Sequence, residues 1–343
     1  MNNIGKKKIA VMGAGAVGSL IGGILACHGQ DVTLIGRKDH ITAVQSNGLF
    51  IDGVLGEYTI AIKTAEQLAF KPDIIFLAVK TQDLESACRD IKPNAAGVPV
   101  VLMQNGVRSI DIASGILGKH DIVSCILLLN ARFVTPGTVT CMNKEPIIIG
   151  KASGENKKVI DDIRSLLNPI CDTTISDDIR GAQWTKLLIN AMANGIDAMT
   201  GLSLGEYMQD RRLRRIGVMI LKEALMLLDK AGIGLARLPG IPLSAFKALI
   251  SLPTPVAAFL LQFAIPSKGN KKVVTSTLQS LQKGNKTEID YLNGEFVTLG
   301  KKLGVPAPYN ATVVKLVHEI EQTRVFYSAA ELDRQFNFNW REK

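Results

Sequence analysis

The chain has 343 residues, of which 47% are hydrophobic and 21% are charged, and its formal net charge at pH 7 is +9. That length suits two domains with substantial cores, and the composition is that of a globular protein. The basic residues are dispersed without interleaved aromatic side chains, which argues against nucleic acid and favours small anionic ligands. The five cysteines form no C-x-x-C pair, so we expect reduced thiols in the cytoplasm and no metal site.

The chain begins with a strand that runs directly into a glycine motif. A strand is predicted over Lys8–Met12, an apolar helix follows to about His28, and Asp31–Ile35 is a second strand. In this strand–turn–helix context, a G-x-G-x-x-G motif predicts a dinucleotide site with the pyrophosphate at the helix N-terminus. The residues expected to bind the cofactor are Gly13, Ala14, Gly15, Ala16, Val17 and Gly18.

The end of the second strand indicates which nicotinamide cofactor binds. An NAD enzyme usually has an acidic residue there for the ribose hydroxyls, whereas this chain has Gly36-Arg37-Lys38. Two cations without an acid suit the 2′-phosphate of NADP, and Arg37 is the stronger candidate of the two. We therefore predict that NADP(H) is the cofactor, although exclusive use of it does not follow.

Strands and helices continue to alternate through the first half, which predicts a Rossmann-type parallel-sheet domain over residues 1–177. The further predicted elements are strands at Thr59–Ile62, Asp73–Val79, Val98–Gln104, Ile122–Leu129 and Thr173–Ile175, a hairpin formed by Val139–Cys141 and Glu145–Gly150, and a helix at Asn156–Leu167. Ligands of parallel sheets bind beyond the carboxyl ends of the strands, which makes Lys80 and Asn105 site candidates. A solvated strand end and a plain turn are the alternatives for these two residues.

The second half, residues 178–343, is predicted to be an all-helical domain. Its predicted helices are Gly181–Met199, Asp210–Lys230 with Asp210 as N-cap, one that follows the stretch Val273–Asn293 and extends to about Leu303, and Asn310–Glu321. Thr287-Glu288 is a candidate helix start in front of Ile289 and Leu292. The dense basic cluster in the second of these helices is expected to be a solvated helix face, and it comprises Arg211, Arg212, Arg214 and Arg215.

The stretch 238–266 is rich in apolar residues, and Ala248–Ile265 within it has no charge over eighteen residues. That length meets the threshold for a membrane span, but Pro253 and Pro255 interrupt the segment. A core, lid or subunit-interface segment is therefore favoured, and we expect no membrane partner. The chain also ends in an aromatic tail with Phe336, Phe338 and Trp340. The apolar stretch and the tail together favour a homodimer.

Three polar side chains interrupt the apolar Gly181–Met199 helix. Lys186, Asn190 and Asn194 are spaced i, i+4, i+8 and form one stripe. Because an unpartnered buried amide costs ~1–3 kcal/mol, the stripe either is satisfied by neighbouring loops or faces a ligand.

A dinucleotide site followed by a helical domain suggests hydride transfer, which also needs a proton donor for the substrate oxygen. We expect the four histidines at a helix end or in loop and surface positions, and they are His28, His40, His120 and His318. Lys186 is the alternative acid, since partial desolvation lowers the pKa of a lysine.

These motifs together resemble the ketopantoate reductase (2-dehydropantoate 2-reductase) family. The resemblance rests on GAGAVG, on AVK ending at Lys80, on QNG at Gln104–Gly106, on WTKLLINAMAN at Trp184–Asn194 and on KTEIDYLNG at Lys286–Gly294. It covers nearly the whole chain. It implies NADPH-dependent reduction of ketopantoate to pantoate, on the route to pantothenate and coenzyme A.

The same resemblance assigns roles to individual residues. Lys186 would donate the proton, and Glu288 would support it while lying at the cofactor and the substrate. The implied substrate contacts are Asn105, Asn190, Asn194 and Ser276, and the implied cofactor contacts beyond the glycine loop are Arg37, Lys80, Asn105 and Glu288.

The chain departs from the family pattern in places that bear on the substrate. Where members often read Ser-Ser-Met-x-x-Asp, this chain has Thr277 for the Met and Ser280 for the Asp, and a further substrate asparagine of some members falls on Leu204. Two alternatives to ketopantoate reduction therefore stay open. One is a related Lys-dependent dehydrogenase for another 2-keto or 3-hydroxy acid, and the other is a non-catalytic NADP-binding regulator.

Overall fold

The structure is a computed structural model that describes residues 5–118, 120–154, 156–264 and 274–337. The chain divides into two compact units, unit 1 (Met1–Ile179) and unit 2 (Arg180–Lys343). Unit 1 is built on a mostly parallel sheet with helices, and the described part of unit 2 is helical.

Unit 1 contains twelve strands and five α-helices among its described residues. The strands are β1 (Lys8–Met12), β2 (Asp31–Ile35), β3 (Leu49–Gly53), β4 (Tyr58–Ile60), β5 (Lys63–Ala65), β6 (Ile74–Leu77), β7 (Val100–Leu102), β8 (Ile122–Leu127), β9 (Ala131–Thr135), β10 (Thr138–Cys141), β11 (Ile147–Ser153) and β12 (Thr173–Ile175). The helices are α1 (Ala16–Cys27), α2 (Lys38–Asn47), α3 (Leu84–Ile91), α4 (Ser109–Leu117) and α5 (Lys157–Leu167).

The main sheet has eight strands in the order β12-β11-β8-β7-β6-β1-β2-β5. All neighbours in it are parallel except β11 and β8, which are antiparallel. All four residues of β6 and all six of β8 are buried, as expected for strands covered on both faces. Met12 is in register with Ile35 on one side and with Leu77 on the other, and Leu77 is in register with Leu102. The carboxyl ends of β1, β2, β6 and β7 therefore lie at one edge of the sheet.

The predicted hairpin between Val139–Cys141 and Glu145–Gly150 is wrong. β10 instead pairs antiparallel with β9, and the Pro136-Gly137 turn joins these two strands, with Gly137 at φ 82°. β11 pairs with β8 and β12 inside the main sheet. Its Ile147–Gly150 run is buried throughout, and such a run suits a central strand better than a hairpin with one solvated face. β10 lies in a second sheet of order β4-β3-β10-β9.

The described residues of unit 2 form nine α-helices. They are α6 (Ile179–Thr200), which begins at the unit boundary, α7 (Leu204–Tyr207), α8 (Arg211–Lys230), α9 (Leu243–Ser251), α10 (Thr254–Ala264), α11 (Ser276–Gln282), α12 (Asn293–Leu303), α13 (Pro308–Thr323) and α14 (Ala329–Gln335). The prediction of Asp210 as an N-cap is confirmed, because its carboxylate accepts a hydrogen bond from the Arg212 N–H at 2.7 Å.

The helix predicted to extend to about Leu303 is present, but no α-helix starts at Thr287-Glu288. The Thr287 hydroxyl accepts the Ile289 N–H at 3.3 Å, and a short 3₁₀ turn over Ile289–Tyr291 follows. The α-helix itself, α12, begins at Asn293. Glu288 therefore lies in a connecting segment rather than in the first turn of an α-helix.

The expectation that the basic cluster is a solvated face is wrong for Arg214. This residue is only 6% exposed, and its guanidinium donates hydrogen bonds to the backbone carbonyls of Ala258 and Met208. The reason is that α10 packs against α8 and covers this arginine. Arg212 and Arg215 remain near the surface and pair with Asp210 and Asp333.

Most of the apolar stretch 238–266 forms α9 and α10, and its last two residues, 265 and 266, lie outside the described residues. Helices α9 and α10 are separate, as Pro253 predicts. None of the described helices is long and apolar enough to cross a membrane.

In the aromatic tail, Phe336 is buried and stacks on Tyr309. Phe338 and Trp340 lie outside the described residues.

Candidate active site

The glycine loop of unit 1 is a tight turn that only glycine can form at two positions. Gly13 has φ +100°, and its N–H and that of Ala14 both donate to the Ile35 carbonyl at 2.9 Å. A Cβ on Gly13 would press on the backbone of Ala78 and Val79. A Cβ on Gly18 would overlap the Gly13 carbonyl oxygen. The loop is therefore closed against β2 and against the chain that follows β6.

Gly15 differs from the other two glycines because it lies at the open end of α1. It is the exposed N-cap of that helix, and a Cβ added to it would meet no described atom within 4 Å. The helix has no side-chain cap and no acidic residue in its first turn. Since the first N–H groups of a helix lack intrahelical partners, this open end fits an anionic pyrophosphate.

Arg37 follows β2 directly and is the N-cap of α2. Its side chain and that of Lys38 are exposed. A Cβ on the preceding Gly36 would approach the Ala14 Cβ to 2.7 Å, so the backbone at the end of β2 lies close to the glycine loop. The segment that carries Arg37 therefore begins next to the glycine loop.

Lys80 and Asn105 follow β6 and β7, and hydrogen bonds bring their two segments together. The Gln104 amide donates to the carbonyls of Leu77 and Val79 at 2.8 and 3.1 Å. The Thr81 hydroxyl donates to the Asn105 carbonyl at 3.1 Å. Lys80 and Asn105 are half-buried at the edge where the strands end. Gln104 belongs to the QNG motif, and the structure shows that its amide links the two strand ends.

In unit 2 the polar stripe lies on one long helix, α6, as its spacing predicts. Lys186 and Asn190 are half-buried, and Asn194 is 4% exposed. The Asn194 side-chain oxygen accepts a hydrogen bond from the Thr277 hydroxyl at 2.9 Å. Asn194 thus has a protein partner, whereas Ser276, next to that threonine, is exposed at the start of α11.

Asp197, three residues after Asn194 on α6, is a buried carboxyl that sequence reasoning missed. Its Oδ2 accepts the Thr275 N–H at 2.9 Å. Burial raises the pKa of Asp197 to about 8, although its hydrogen bonds to Thr275 act in the opposite direction. The sequence pattern gave no indication that Asp197 is buried, because an aspartate in a helix ordinarily faces solvent.

Glu288 is half-buried in unit 2, and a network of hydrogen bonds holds the residue before it. The Thr287 N–H and hydroxyl both donate to Glu321 Oε1 at 2.7 Å. Glu321 Oε2 lies 2.9 Å from His318 Nδ1, and His318 Nε2 lies 3.1 Å from Asp290. Burial lowers the pKa of His318, but the two carboxylates outweigh burial and leave that pKa above its usual value.

The expectation that His40 lies in a loop or at the surface is wrong. His40 is on α2 and is 4% exposed. Its Nε2 lies 2.9 Å from the Ser19 hydroxyl, and its Nδ1 accepts the Gly137 N–H at 2.9 Å. These partners are far apart in sequence, so no local pattern could indicate them. Burial lowers the pKa of His40, which favours the neutral ring that these contacts need.

Family models match both halves of the chain. The model described as Ketopantoate reductase PanE/ApbA matches residues 9–154, and the model of the PanE/ApbA C terminal matches residues 178–321. Among relatives, a 2-dehydropantoate 2-reductase of Pyrococcus horikoshii is 28% identical over 311 residues, covering 90% of this chain and 96% of its own. One of Aquifex aeolicus is 25% identical, covering 90% and 96%.

Solved structures show the same fold. A PanE/ApbA family ketopantoate reductase from Ralstonia eutropha JMP134 has a TM-score of 0.77 at 26% identity, covering 92% of this chain and 99% of its own. D-mandelate dehydrogenase, solved with NADH and anilino(oxo)acetate, has a TM-score of 0.79 at 24% identity with the same coverage. Since the two family models span most of the sequence, this chain belongs to the ketopantoate reductase family of oxidoreductases.

Proposed function

We propose that this protein reduces 2-dehydropantoate to pantoate with NADPH. The observation that carries the proposal is the half-buried pair of Lys186 and Asn190 on α6, a proton donor and a neutral amide one helical turn apart. Relatives over 90% of the chain are named 2-dehydropantoate 2-reductase, which supports the substrate. The product would enter the synthesis of pantothenate and coenzyme A.

The cofactor residues of the proposal lie in unit 1. Gly15 leaves the N-terminus of α1 accessible, so the helix N–H groups and the surrounding loop would hold the pyrophosphate. Arg37 would bind the 2′-phosphate, which distinguishes NADPH from NADH. Lys80 and Asn105, at the ends of β6 and β7, would contact the nicotinamide half. The remaining loop residues supply backbone contacts, and they are Gly13, Ala14, Ala16, Val17 and Gly18.

The chemistry needs a hydride for the keto carbon and a proton for the keto oxygen, which together convert C=O into CH–OH. Bound NADPH supplies the hydride. The Lys186 ammonium donates the proton from Nζ to the keto oxygen as a general acid. Glu288 supports the charged form of Lys186 by its carboxylate and contacts the substrate and the cofactor.

The substrate carboxylate and hydroxyl need hydrogen-bond donors. The Asn190 amide and the Ser276 hydroxyl would supply them, with Asn105 at the cofactor side. Asn194 would contribute its amide N–H groups, because its oxygen already accepts from Thr277.

The proposal assigns cofactor binding to residues 1–177 and substrate binding and proton donation to residues 178–343. It also includes a cytoplasmic location and a homodimer. The side chains of Phe259 and Phe263 on α10 are 56% and 66% exposed, and this supports a homodimer because such apolar area is usually covered.

A second candidate is the reduction of a different 2-keto acid. The residue that favours it is Leu204, which begins α7 where some members of the family have a substrate asparagine. An apolar side chain there would accept a less polar acid than ketopantoate. The proton donor and the cofactor residues would be the same in both reactions.

The test is NADPH oxidation with ketopantoate beside a panel of aliphatic and aromatic 2-keto acids, for the wild type and for Lys186→Ala. We expect turnover of ketopantoate by the wild type and its loss in the variant. Turnover of other 2-keto acids but not of ketopantoate would support the second candidate instead. NADPH binding without turnover of any acid would identify a non-catalytic regulator and overturn the proposal.

A further inference from the structure

Two hydrogen bonds attach the start of α11 to α6. Asp197 Oδ2 accepts the backbone N–H of Thr275, and Asn194 Oδ1 accepts the hydroxyl of Thr277, both at 2.9 Å. Ser276 is the residue between these two threonines, so it is held on both sides. Its own side chain stays exposed.

The helix that provides both acceptors is the helix that carries the proton donor. Asn194 and Asp197 lie about two and three turns beyond Lys186, and Asn190 lies between them and the lysine. With a rise of about 1.5 Å per residue, the attachment point is roughly 6–10 Å along the axis from Asn190. Because α6 carries Asn190 and both acceptors, the two hydrogen bonds tie the position of Ser276 to that of Asn190.

The carboxyl group of Asp197 accepts a backbone N–H at a large cost in desolvation free energy. It is fully buried, and it lies near Tyr207, which is also fully buried. Burial raises the pKa of both side chains, and the nearby Asp197 raises that of Tyr207 further. Burying a carboxyl group costs free energy, whereas leaving it exposed does not. Only interactions inside the protein can offset this cost.

We propose that Asp197 is a positioning residue, which together with Asn194 fixes the Thr275–Thr277 segment on α6 and so places the Ser276 hydroxyl for substrate binding. The inference rests on the proposed function, since it takes Ser276 as a substrate contact. Asp197 itself acts only through this segment and touches neither the substrate nor the cofactor.

The test compares Asp197→Ala with Asp197→Asn, whose amide oxygen can still accept the Thr275 N–H. In Asp197→Ala we expect the KM for the keto acid to rise about tenfold, as for loss of one hydrogen bond, with kcat changed less than about threefold. NADPH affinity should not change. Asp197→Asn should restore the wild-type KM.

A double variant tests whether the effect passes through Ser276. If it does, Asp197→Ala combined with Ser276→Ala raises the KM no further than Ser276→Ala alone. Additive effects of the two substitutions would overturn the proposal. Thr277→Val, which removes the hydroxyl that donates to Asn194 Oδ1, should also raise the KM and serves if Asp197→Ala does not fold.

Glu223→Ala is the matched control, because Glu223 is another buried carboxyl of unit 2 and accepts the N–H groups of Tyr309 and Asn310 at 2.8 Å. It should lower stability without changing the KM. Equal effects of Asp197→Ala and Glu223→Ala on KM and kcat would show that Asp197 has only a structural role.

Hydrogen–deuterium exchange provides a readout that does not depend on turnover. The amides of residues 275–278 should exchange faster in Asp197→Ala and at the wild-type rate in Asp197→Asn. Unchanged exchange in Asp197→Ala would overturn the attachment. A wild type that turns over no keto acid would refute the proposed function and the role in substrate binding. A wild-type KM in an active Asp197→Ala would refute only the positioning role.

Discussion

The carbonyl oxygen of Gly13 occupies the space that a Cβ on Gly18 would need. These two glycines let α1 start close to β1. A side chain at either position would overlap other atoms of unit 1. Gly15, between them in sequence, has no such internal constraint within the described structure. The three glycines of the loop should therefore respond differently to the same substitution.

Gly15→Ala should change NADPH binding and leave folding nearly intact. Its φ of −86° suits alanine, so we expect a stability change within about 1 kcal/mol. The added methyl group would lie where the pyrophosphate approaches, and the Kd for NADPH should rise at least ~10-fold. Thermal melts and fluorescence titration measure the two effects. Gly18→Ala is the comparison, and it should lower the melting temperature. Normal NADPH binding by Gly15→Ala would contradict the assigned loop.

Arg37→Ala should separate the two nicotinamide cofactors. Loss of the guanidinium removes the partner of the 2′-phosphate, so the KM for NADPH should rise ~10-fold or more while that for NADH changes little. Steady-state kinetics with each cofactor measures this difference. Arg89→Ala is a control, because Arg89 is an exposed arginine of unit 1 paired with Glu85. An equal rise for both cofactors would remove the 2′-phosphate assignment.

Lys186→Ala should reduce kcat at least ~10²-fold, as expected for loss of a general acid, with NADPH affinity near normal. Lys301→Ala removes an exposed lysine from the last turn of α12 and should leave kcat unchanged. Turnover numbers and NADPH titrations check both variants. A decrease of only two- or threefold in Lys186→Ala would show that another group donates the proton.

Asp197→Asn should be more stable than the wild type by an amount that grows with pH. The pKa of Asp197 is raised from 3.8 to about 8 by burial, so between these values the folded protein binds the proton and the unfolded chain does not. Wild-type stability therefore falls as pH rises through this window, whereas the asparagine does not titrate. Denaturant unfolding of both proteins at about pH 5, 6, 7 and 8, which covers the upper part of this window, measures the difference. A constant difference would show that the carboxyl is already charged at pH 5.

Local features of the sequence determined the structure around the candidate cofactor site. The order strand, glycine loop, helix and strand is contiguous in the chain, and Gly13 and Gly18 have the conformation and contacts that the motif predicts. The stripe of Lys186, Asn190 and Asn194 is likewise a property of one helix, since helical spacing alone places three such residues together.

Tertiary contacts decided what surrounds these features. From the sequence, Arg214 and His40 are both expected at the surface. In the structure α10 covers Arg214, and His40 is in hydrogen-bond contact with Ser19 and Gly137. Asp197 meets Thr275 across 78 positions of the chain. A sequence pattern records the period of one helix or strand, but it does not record which distant segment packs against it. The candidate binding and catalytic residues could therefore be proposed from local sequence, whereas the residues that hold them in place required the folded structure.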